Sequence, residues 1–308
     1  MNRTIKRLLR NHISDASRSA YSVAVSAYSK YCLANNYKFH RSTLLRFIAH
    51  LFDRGIAYST VRVYIAGISN WLKEHGHTDF TKTLIIEQAI KGFARLRPNQ
   101  RDQRQPISLD VMRLIKARLN DSQLASYDKV LFWAACNAAF FGFLRPGEFT
   151  VSHTHSFRAG RTLLLSDLIL GGNSVIVTIK RSKTDQMSCG SRLSLSSTKR
   201  SVCPYRAISK FYALRCGIGF SNVYPFFMYP NGTFLSRSRF AGTLKLLLHD
   251  IPYASHYTPH SFRIGAATVA SELGCSPTRI KRAGRWKIQV YSRYIRSVRA
   301  VEGLRPYK

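Results

Sequence analysis

Residues 284–296 read GRWKIQVYSRYIR. Tyr291 and Tyr294 stand three apart in a strongly basic stretch, the spacing of neighbours on a helix. A phenol with its ordinary pKa of about 10 is a poor nucleophile at neutral pH unless cations stabilise its anion. Trp286 can pack beside an anion and donate its indole N–H. Without cationic partners, either tyrosine is a packing residue on an amphipathic helix. The segment alone leaves both readings open, so the partners must come from the rest of the chain.

The first set of partners lies just upstream, in TPHSFRIGAATVASELG at 258–274. Thr258 is expected to cap a helix and Pro259 to open it, with Phe262, Ala266, Val269 and Leu273 as its buried stripe. His260 and Arg263 then share one face. A proton-transfer group beside a fixed positive charge suits an oxyanion-type phosphate site. A second set lies in FFGFLRPGEFT at 140–150. A buried helix ends at Gly142 and Pro146 opens a short one, which leaves Arg145 at the junction and Glu148 three residues on. A guanidinium held there keeps its proton and suits bidentate contact with a phosphate, with Glu148 to orient it. A third candidate is Lys183 in KRSKTDQ, on the connection between two strand signals. A lysine on a hairpin can reach a DNA groove and protonate a leaving oxygen. Each candidate has an ordinary alternative: a helix-end ion pair, an exposed helix face, a solvated basic turn that only touches phosphates.

Charge narrows the choice. The 308 residues carry 48 Lys and Arg against 15 Asp and Glu, a formal net charge of +33. Residues 1–100 hold 16 basic and 5 acidic side chains, a surplus of 11 that leaves 22 for the rest, so both halves contribute. Such a field repels itself unless a polyanion is present, and nucleic acid is the commonest intracellular one. The 15 carboxylates are scattered, which disfavours a two-metal nuclease. His75/His77 and His153/His155 have no Cys or carboxylate partner at ligand spacing. The six cysteines form no CxxC pair and read as reduced intracellular thiols. The apolar run VLFWAACNAAFFGFL at 130–144 is shorter than a membrane span and contains Asn137, so a buried helix is expected rather than a membrane segment. The basic start MNRTIKRLLRNH is followed by no apolar core, which argues against a secretory signal; its Arg-rich, acid-poor character also fits a transit peptide.

The organisation follows from periodicity. From Ala16 to about Arg95 the pattern is helical, with Val61, Ile65, Ile68 and Leu72 as one core stripe and Leu44, Ile48 and Leu51 as another. About four helices are expected, with Gly55 ending one and Ser59 capping the next. Arg41, Arg46, Arg62 and Lys73 fall on the exposed faces and are candidate DNA contacts, as are Arg181, Arg285 and Lys287 further on. LRPNQRDQRQP at 96–106 has a linker's composition. Ser108 then caps a new helix. Strand signals follow at TLLL (162–165), SDLIL (166–170), SVIVTI (174–179) and RLSLSS (192–197). Pro204, Pro259 and Pro277 each mark a first helical turn. The expected fold is mostly α with a small antiparallel β-sheet, in three parts: a helical DNA-binding domain over 1–96, a basic linker over 97–107 and a second domain over 108–308.

The order of the motifs is more specific than any one of them. An arginine box, a hairpin lysine, H-x-x-R, Gly-x-Trp and then Tyr-Ile-Arg resembles the tyrosine recombinases, the phage-integrase family, over nearly the whole chain. LRPGE is similar to that family's first arginine box, HSFRIGAATVASELG to its second, and GRWKIQVYSRYIR to its nucleophile box. The phrasing of FGFLRPGEFT, RSKTDQ and YSRYIR is most similar to recombinases of eukaryotic mobile elements of the DIRS and Crypton kinds.

The resemblance implies a helical core-binding domain joined to a catalytic domain. It implies that Arg145 and Arg263 clamp the scissile phosphate and that Lys183 is the general acid. His260 would be the proton acceptor or a supporting donor, Trp286 a phosphate-binding residue and Tyr294 the nucleophile, with Tyr291 the alternative. The implied activity is a site-specific DNA recombinase or integrase working through a 3′-phosphotyrosyl intermediate, with no metal or other cofactor. The implied partner is double-stranded DNA, bound by a homo-oligomer that is a tetramer on two DNA sites. The implied location is the nucleus for a eukaryotic element and the cytoplasm or nucleoid otherwise. A catalytically silent DNA-binding relative and a type IB topoisomerase share much of this pattern.

Overall fold

The helical periodicity of the first hundred residues resolves into five α-helices in a computed structural model that describes residues 2–98, 102–182, 190–286 and 289–296. They are α1 (Arg3–Arg10), α2 (Asp15–Ala34), α3 (Arg41–Asp53), α4 (Tyr58–Glu74) and α5 (Leu84–Leu96). α2 packs on α4 and α3 on α5. Both stripes read from the sequence are buried, around Tyr28, Phe47, Ile86 and Phe93. Ser59 does not cap α4. Gly55 turns the chain at φ +74° and the Ile56 N–H donates back to the Leu51 carbonyl, so helix re-entry comes earlier. Ala57 is therefore the N-cap, its carbonyl accepting from the Val61 N–H.

The chain divides into two compact units, Met1–Asp102 and Gln103–Lys308, each with its own core. In the second, the Gln105 N–H donates to the His256 carbonyl and the Ile107 N–H to the Ser261 carbonyl, both at 3.1 Å. Residues 103–107, within the linker-like stretch, are thus tied into the second unit's packing. Ser108 accepts from the Val111 N–H and caps α6 (Leu109–Asp121). α7 (Ser126–Phe141) is buried on most of its surface and packs against α9 (Pro204–Gly217) and α11 (Ser261–Glu272). An apolar helix of this kind is central because it has no face to offer water. Between them lie α8 (Pro146–Phe149) and α10 (Arg237–Leu247), and α12 (Pro277–Gly284) follows.

The sheet is antiparallel in the order β1 (Leu168–Leu170), β2 (Ser174–Ile179), β3 (Ser191–Ser196). Val175 pairs with Leu195 and Val177 with both Leu168 and Leu193. Val175, Val177 and Ile179 therefore share the buried face, as a period of two requires. The expected strand TLLL is absent from this sheet. Its backbone instead serves two loops, with the Leu163 N–H on the Glu148 carbonyl and the Phe226 N–H on the Leu163 carbonyl.

Three expectations about 258–274 are corrected. Thr258 is not the cap of α11 and Pro259 is not its first residue. A tight turn forms first, with the Ser261 N–H on the Thr258 carbonyl and the Thr258 N–H on Ser261 Oγ, so His260 becomes the N-cap. Leu273 is 68% exposed rather than part of the stripe, because α11 stops at Glu272 and Gly274 turns away at φ +74°. Among the described residues, no helix is long and apolar enough to cross a membrane.

Candidate active site

The site forms where the α7–α8 elbow, the start of α11 and the end of α12 meet. At the elbow the chain leaves α7 through Phe143, which adopts φ +48°. A non-glycine residue there costs about 1–3 kcal/mol and persists only where its surroundings hold it. Two guanidiniums do so. The Phe143 carbonyl accepts from Arg263 and, at 3.2 Å, from Arg285. Arg145 follows as N-cap of α8, with Glu148 three residues on reaching back to it. The Glu148 carboxylate accepts the Arg145 N–H at 2.9 Å and its guanidinium at 3.1 Å. Its Oε2 also accepts from Arg285 at 2.7 Å.

α11 contributes Arg263, which is fully buried. Its two terminal nitrogens donate to the Phe143 and Gly284 carbonyls. Its guanidinium lies 4.4 Å from the centre of the Trp286 ring and 5.7 Å from that of Tyr294. The Trp286 and Tyr294 rings are 4.8 Å apart, and the His260 ring is 5.5 Å from Tyr294. Burial first, and then the charges of Arg145 and Arg285, pull the Arg263 pKa down to about 9. Burial also lowers that of Arg285, against the opposing pull of Glu148.

The electrostatics follow from counting charges. Arg145, Arg263 and Arg285 surround one carboxylate, Glu148, leaving a formal surplus of two positive charges in a largely desolvated cluster. Burying an unpaired charge costs several kcal/mol. Two buried N–H groups, Trp286 Nε1 and Arg263 Nε, also lack a hydrogen-bond partner among the described residues. Native interiors pair nearly all such groups, and exceptions cluster at functional positions. Surplus charge and spare donors at one point suit an oxyanion.

Of the residues singled out in the sequence, Arg145, Glu148, His260, Arg263, Trp286 and Tyr294 come together here. Tyr291 has a different neighbour: the Lys281 ammonium lies 5.2 Å from its ring centre. The tyrosine segment, Gln289–Tyr294, is a 3₁₀-helix. Lys183 and Lys287 lie outside the described residues. Arg181 sits partly exposed just after β2. Arg41, Arg46, Arg62 and Lys73 are exposed on the first unit, Arg46 against Tyr37 and Lys73 paired with Asp79. Arg285 is not exposed with them; its side chain is 8% accessible and turned inward.

Two features escaped the sequence reading. Thr268 is buried in α11, donating to the Ile264 and Tyr294 carbonyls and accepting from the Arg296 N–H, and so anchors the tyrosine segment. A lone hydroxyl residue inside the apolar run of α11 was the available signal. Asp167 is buried, accepts the Leu164 N–H and pairs with Lys180 at 2.7 Å. Asp167, Lys180 and Glu148 line one small cavity. Among the described residues, no group of three or more His, Cys, Asp or Glu is placed to hold a metal ion.

No protein-family model matches the chain, and no curated protein matches it in sequence. Solved structures do match. The Tn1549 transposon integrase in complex with circular intermediate DNA superposes with a TM-score of 0.61 at 12% identity, covering 96% of this chain and 94% of that one. The XerH site-specific recombinase bound to palindromic difH substrate gives 0.61 at 11%, covering 90% and 75%. A lambda integrase dimer bound to a COC′ core site gives 0.57 at 14%, covering 95% and 75%. At such identities the likeness is one of fold. The chain has the tyrosine-recombinase fold, mostly α with a small antiparallel sheet, as the resemblance implied.

Proposed function

We propose that this protein is a site-specific DNA recombinase that cuts and rejoins DNA through a tyrosine. The observation that carries this reading is the Arg145–Arg263–Trp286–Tyr294–His260 cluster, with its surplus of two positive charges beside a phenol. The reaction would be phosphoryl transfer. The Tyr294 oxygen forms a bond to phosphorus and the bond to the 5′ oxygen breaks. The phenol proton leaves toward His260 or solvent, and Lys183 delivers a proton to the departing 5′ oxygen. A 5′-hydroxyl from a second strand then reverses the step. One phosphodiester replaces another, so no energy source is required. Catalysis rests on positioning and on neutralising the pentacoordinate phosphorane. A phosphorane formed from a diester carries two negative charges, matching the surplus in the cluster.

The net charge of +33 and the exposed Arg41, Arg46, Arg62 and Lys73 suit a duplex held by both units. We assign Arg181 and Lys287 to phosphate contact as well. A homo-oligomer, a tetramer on two DNA sites, is the assembly this chemistry calls for, because strand exchange needs two cut duplexes. The motif phrasing is similar to that of mobile-element recombinases of the DIRS and Crypton kinds, and the site of action would be the nucleus for a eukaryotic element and the cytoplasm or nucleoid otherwise.

The test is covalent trapping in EDTA. The protein is mixed with labelled, nicked duplexes carrying randomised sequence around the nick and run on a denaturing gel. An SDS-resistant adduct that forms without divalent metal supports the reading. Salt-sensitive DNA binding with no adduct on any duplex would favour a protein that only binds DNA. An adduct with relaxation of supercoiled DNA but no strand exchange would favour a topoisomerase.

A further inference from the structure

We infer that Arg285 is a positioning residue of the site rather than a DNA contact, and that it sets the geometry of Arg145 through their shared carboxylate. This inference rests on the proposed strand-transfer reading. Arg285 follows α12 in a left-handed conformation at φ +55°, which reverses its side chain back toward the α7–α8 elbow. Gly284 makes that reversal possible. The Trp286 ring lies against it so closely that a Cβ there would sit 1.8 Å from a ring carbon. The Gly-Arg-Trp triplet is therefore one device: glycine admits the indole, arginine turns inward and tryptophan covers Arg263.

Among the described residues, the contacts at the α7–α8 elbow show what Arg285 holds. Its guanidinium donates to the Gly142 carbonyl at 3.3 Å, to the Phe143 carbonyl at 3.2 Å and to Glu148 Oε2 at 2.7 Å. The first two fix the end of α7 and the left-handed residue after it. The third fixes the carboxylate that accepts both the backbone and the guanidinium of Arg145. Arg263 also donates to the Phe143 carbonyl. Arg285 thus touches the partners of both phosphate-directed arginines. Its side chain is 8% accessible, too little for a groove or backbone contact with DNA. Its charge adds to the surplus that an oxyanion would neutralise.

A positioning role and a DNA-contact role predict opposite results. The measurements use the full chain, with Arg285→Gln, Arg285→Lys, Glu148→Gln and the Arg285→Gln/Glu148→Gln double variant. In single-turnover cleavage of a nicked duplex, Arg285→Gln should be slower by roughly 10–100-fold, the scale of a misplaced catalytic group. Arg285→Lys should recover only part, because one ammonium cannot replace a fork on three acceptors. Duplex affinity should stay within about twofold of wild type with its salt slope unchanged; a lost phosphate contact would lower the salt slope by about one. Loss of affinity with a reduced slope would overturn the inference. A second readout needs no catalysis. The melting temperatures of the two single variants and the double variant should be non-additive, since Glu148→Gln leaves the buried Arg285 without its carboxylate and Arg285→Gln takes from Glu148 one of its two guanidiniums. Strictly additive shifts would sink the inference even if the protein cleaves DNA. A wild type that never forms an adduct would count against the strand-transfer reading, while the melting cycle still decides whether Arg285 and Glu148 act as a unit.

Discussion

The Arg263 guanidinium lies over the Trp286 indole, 4.4 Å from its ring centre. Burial and the like charges of Arg145 and Arg285 both act against a cation here. The aromatic face and two carbonyls offset part of that cost. Trp286→Phe keeps a face and loses the indole N–H. It should fold and cleave a nicked duplex roughly 10-fold or more slowly, a loss of the kind seen when one donor to a developing oxyanion is removed. Trp286→Ala should also lower stability by about 3–5 kcal/mol through the cavity it leaves. Urea unfolding beside single-turnover cleavage separates the two effects.

Arg145 is held on Glu148 at the mouth of α8 with a side chain about one-sixth accessible. Arg145→Ala should reduce single-turnover cleavage by about 10²–10³-fold, with duplex affinity changed far less. Equal losses in affinity and rate would mean that Arg145 is a general DNA contact.

Gly265 faces the backbone of Ile107, where a Cβ would lie 1.9 Å from the carbonyl oxygen. The obstacle is main chain and cannot rotate away. Gly265→Ala should force α11 from the strap at Gln105–Ile107 and cost about 3 kcal/mol or more, the upper end for overpacking. Chemical denaturation of the full chain measures it.

Asp167 and Lys180 pin the end of β2 beside the cavity that Glu148 also lines. Asp167→Asn should leave duplex affinity near wild type and slow cleavage, because the connection bearing Lys183 starts from Lys180. A chemically activated 5′ leaving group should rescue this variant and not Arg145→Ala. Absence of that selective rescue would detach the pair from leaving-group protonation.

Cys203 supplies the pH dependence. Burial raises its pKa, but the Arg206 and Thr198 N–H groups and the Ser197 and Thr198 hydroxyls outweigh this and bring it down to about 6 from the ordinary 9.0. Between these values the folded protein holds a thiolate while the unfolded chain keeps the proton. Stability should therefore rise with pH from about 6 to about 9, and be lost as pH falls through 6. Cys203→Ser should flatten that rise in melting curves taken across the range.

The sequence was most informative where one residue reports its own environment. The stripes Val61–Leu72 and Leu44–Leu51, the Ser108 cap and the strand at 174–179 are local patterns, and each is in place. It was least informative where a side chain answers to a distant backbone. Arg285 reads as one more surface cation in a basic stretch. Its inward turn depends on a left-handed residue and on carbonyls more than 140 positions away. The 258–261 turn displaced the expected cap because Ser261 Oγ competes for the Thr258 N–H, a local choice that cap preferences alone do not rank. The two tyrosines, equivalent by spacing, are separated by their partners: Tyr294 against Arg263, Trp286 and His260, and Tyr291 against Lys281.

One measurement distinguishes the two tyrosines. Covalent adducts formed on nicked duplexes would be digested with protease and the nucleotide-bearing peptide sequenced by mass spectrometry, with Tyr294→Phe and Tyr291→Phe in parallel. The nucleotide should be found on Tyr294, with the adduct abolished by Tyr294→Phe and retained by Tyr291→Phe. A nucleotide on Tyr291, or an adduct that survives Tyr294→Phe, would contradict that assignment.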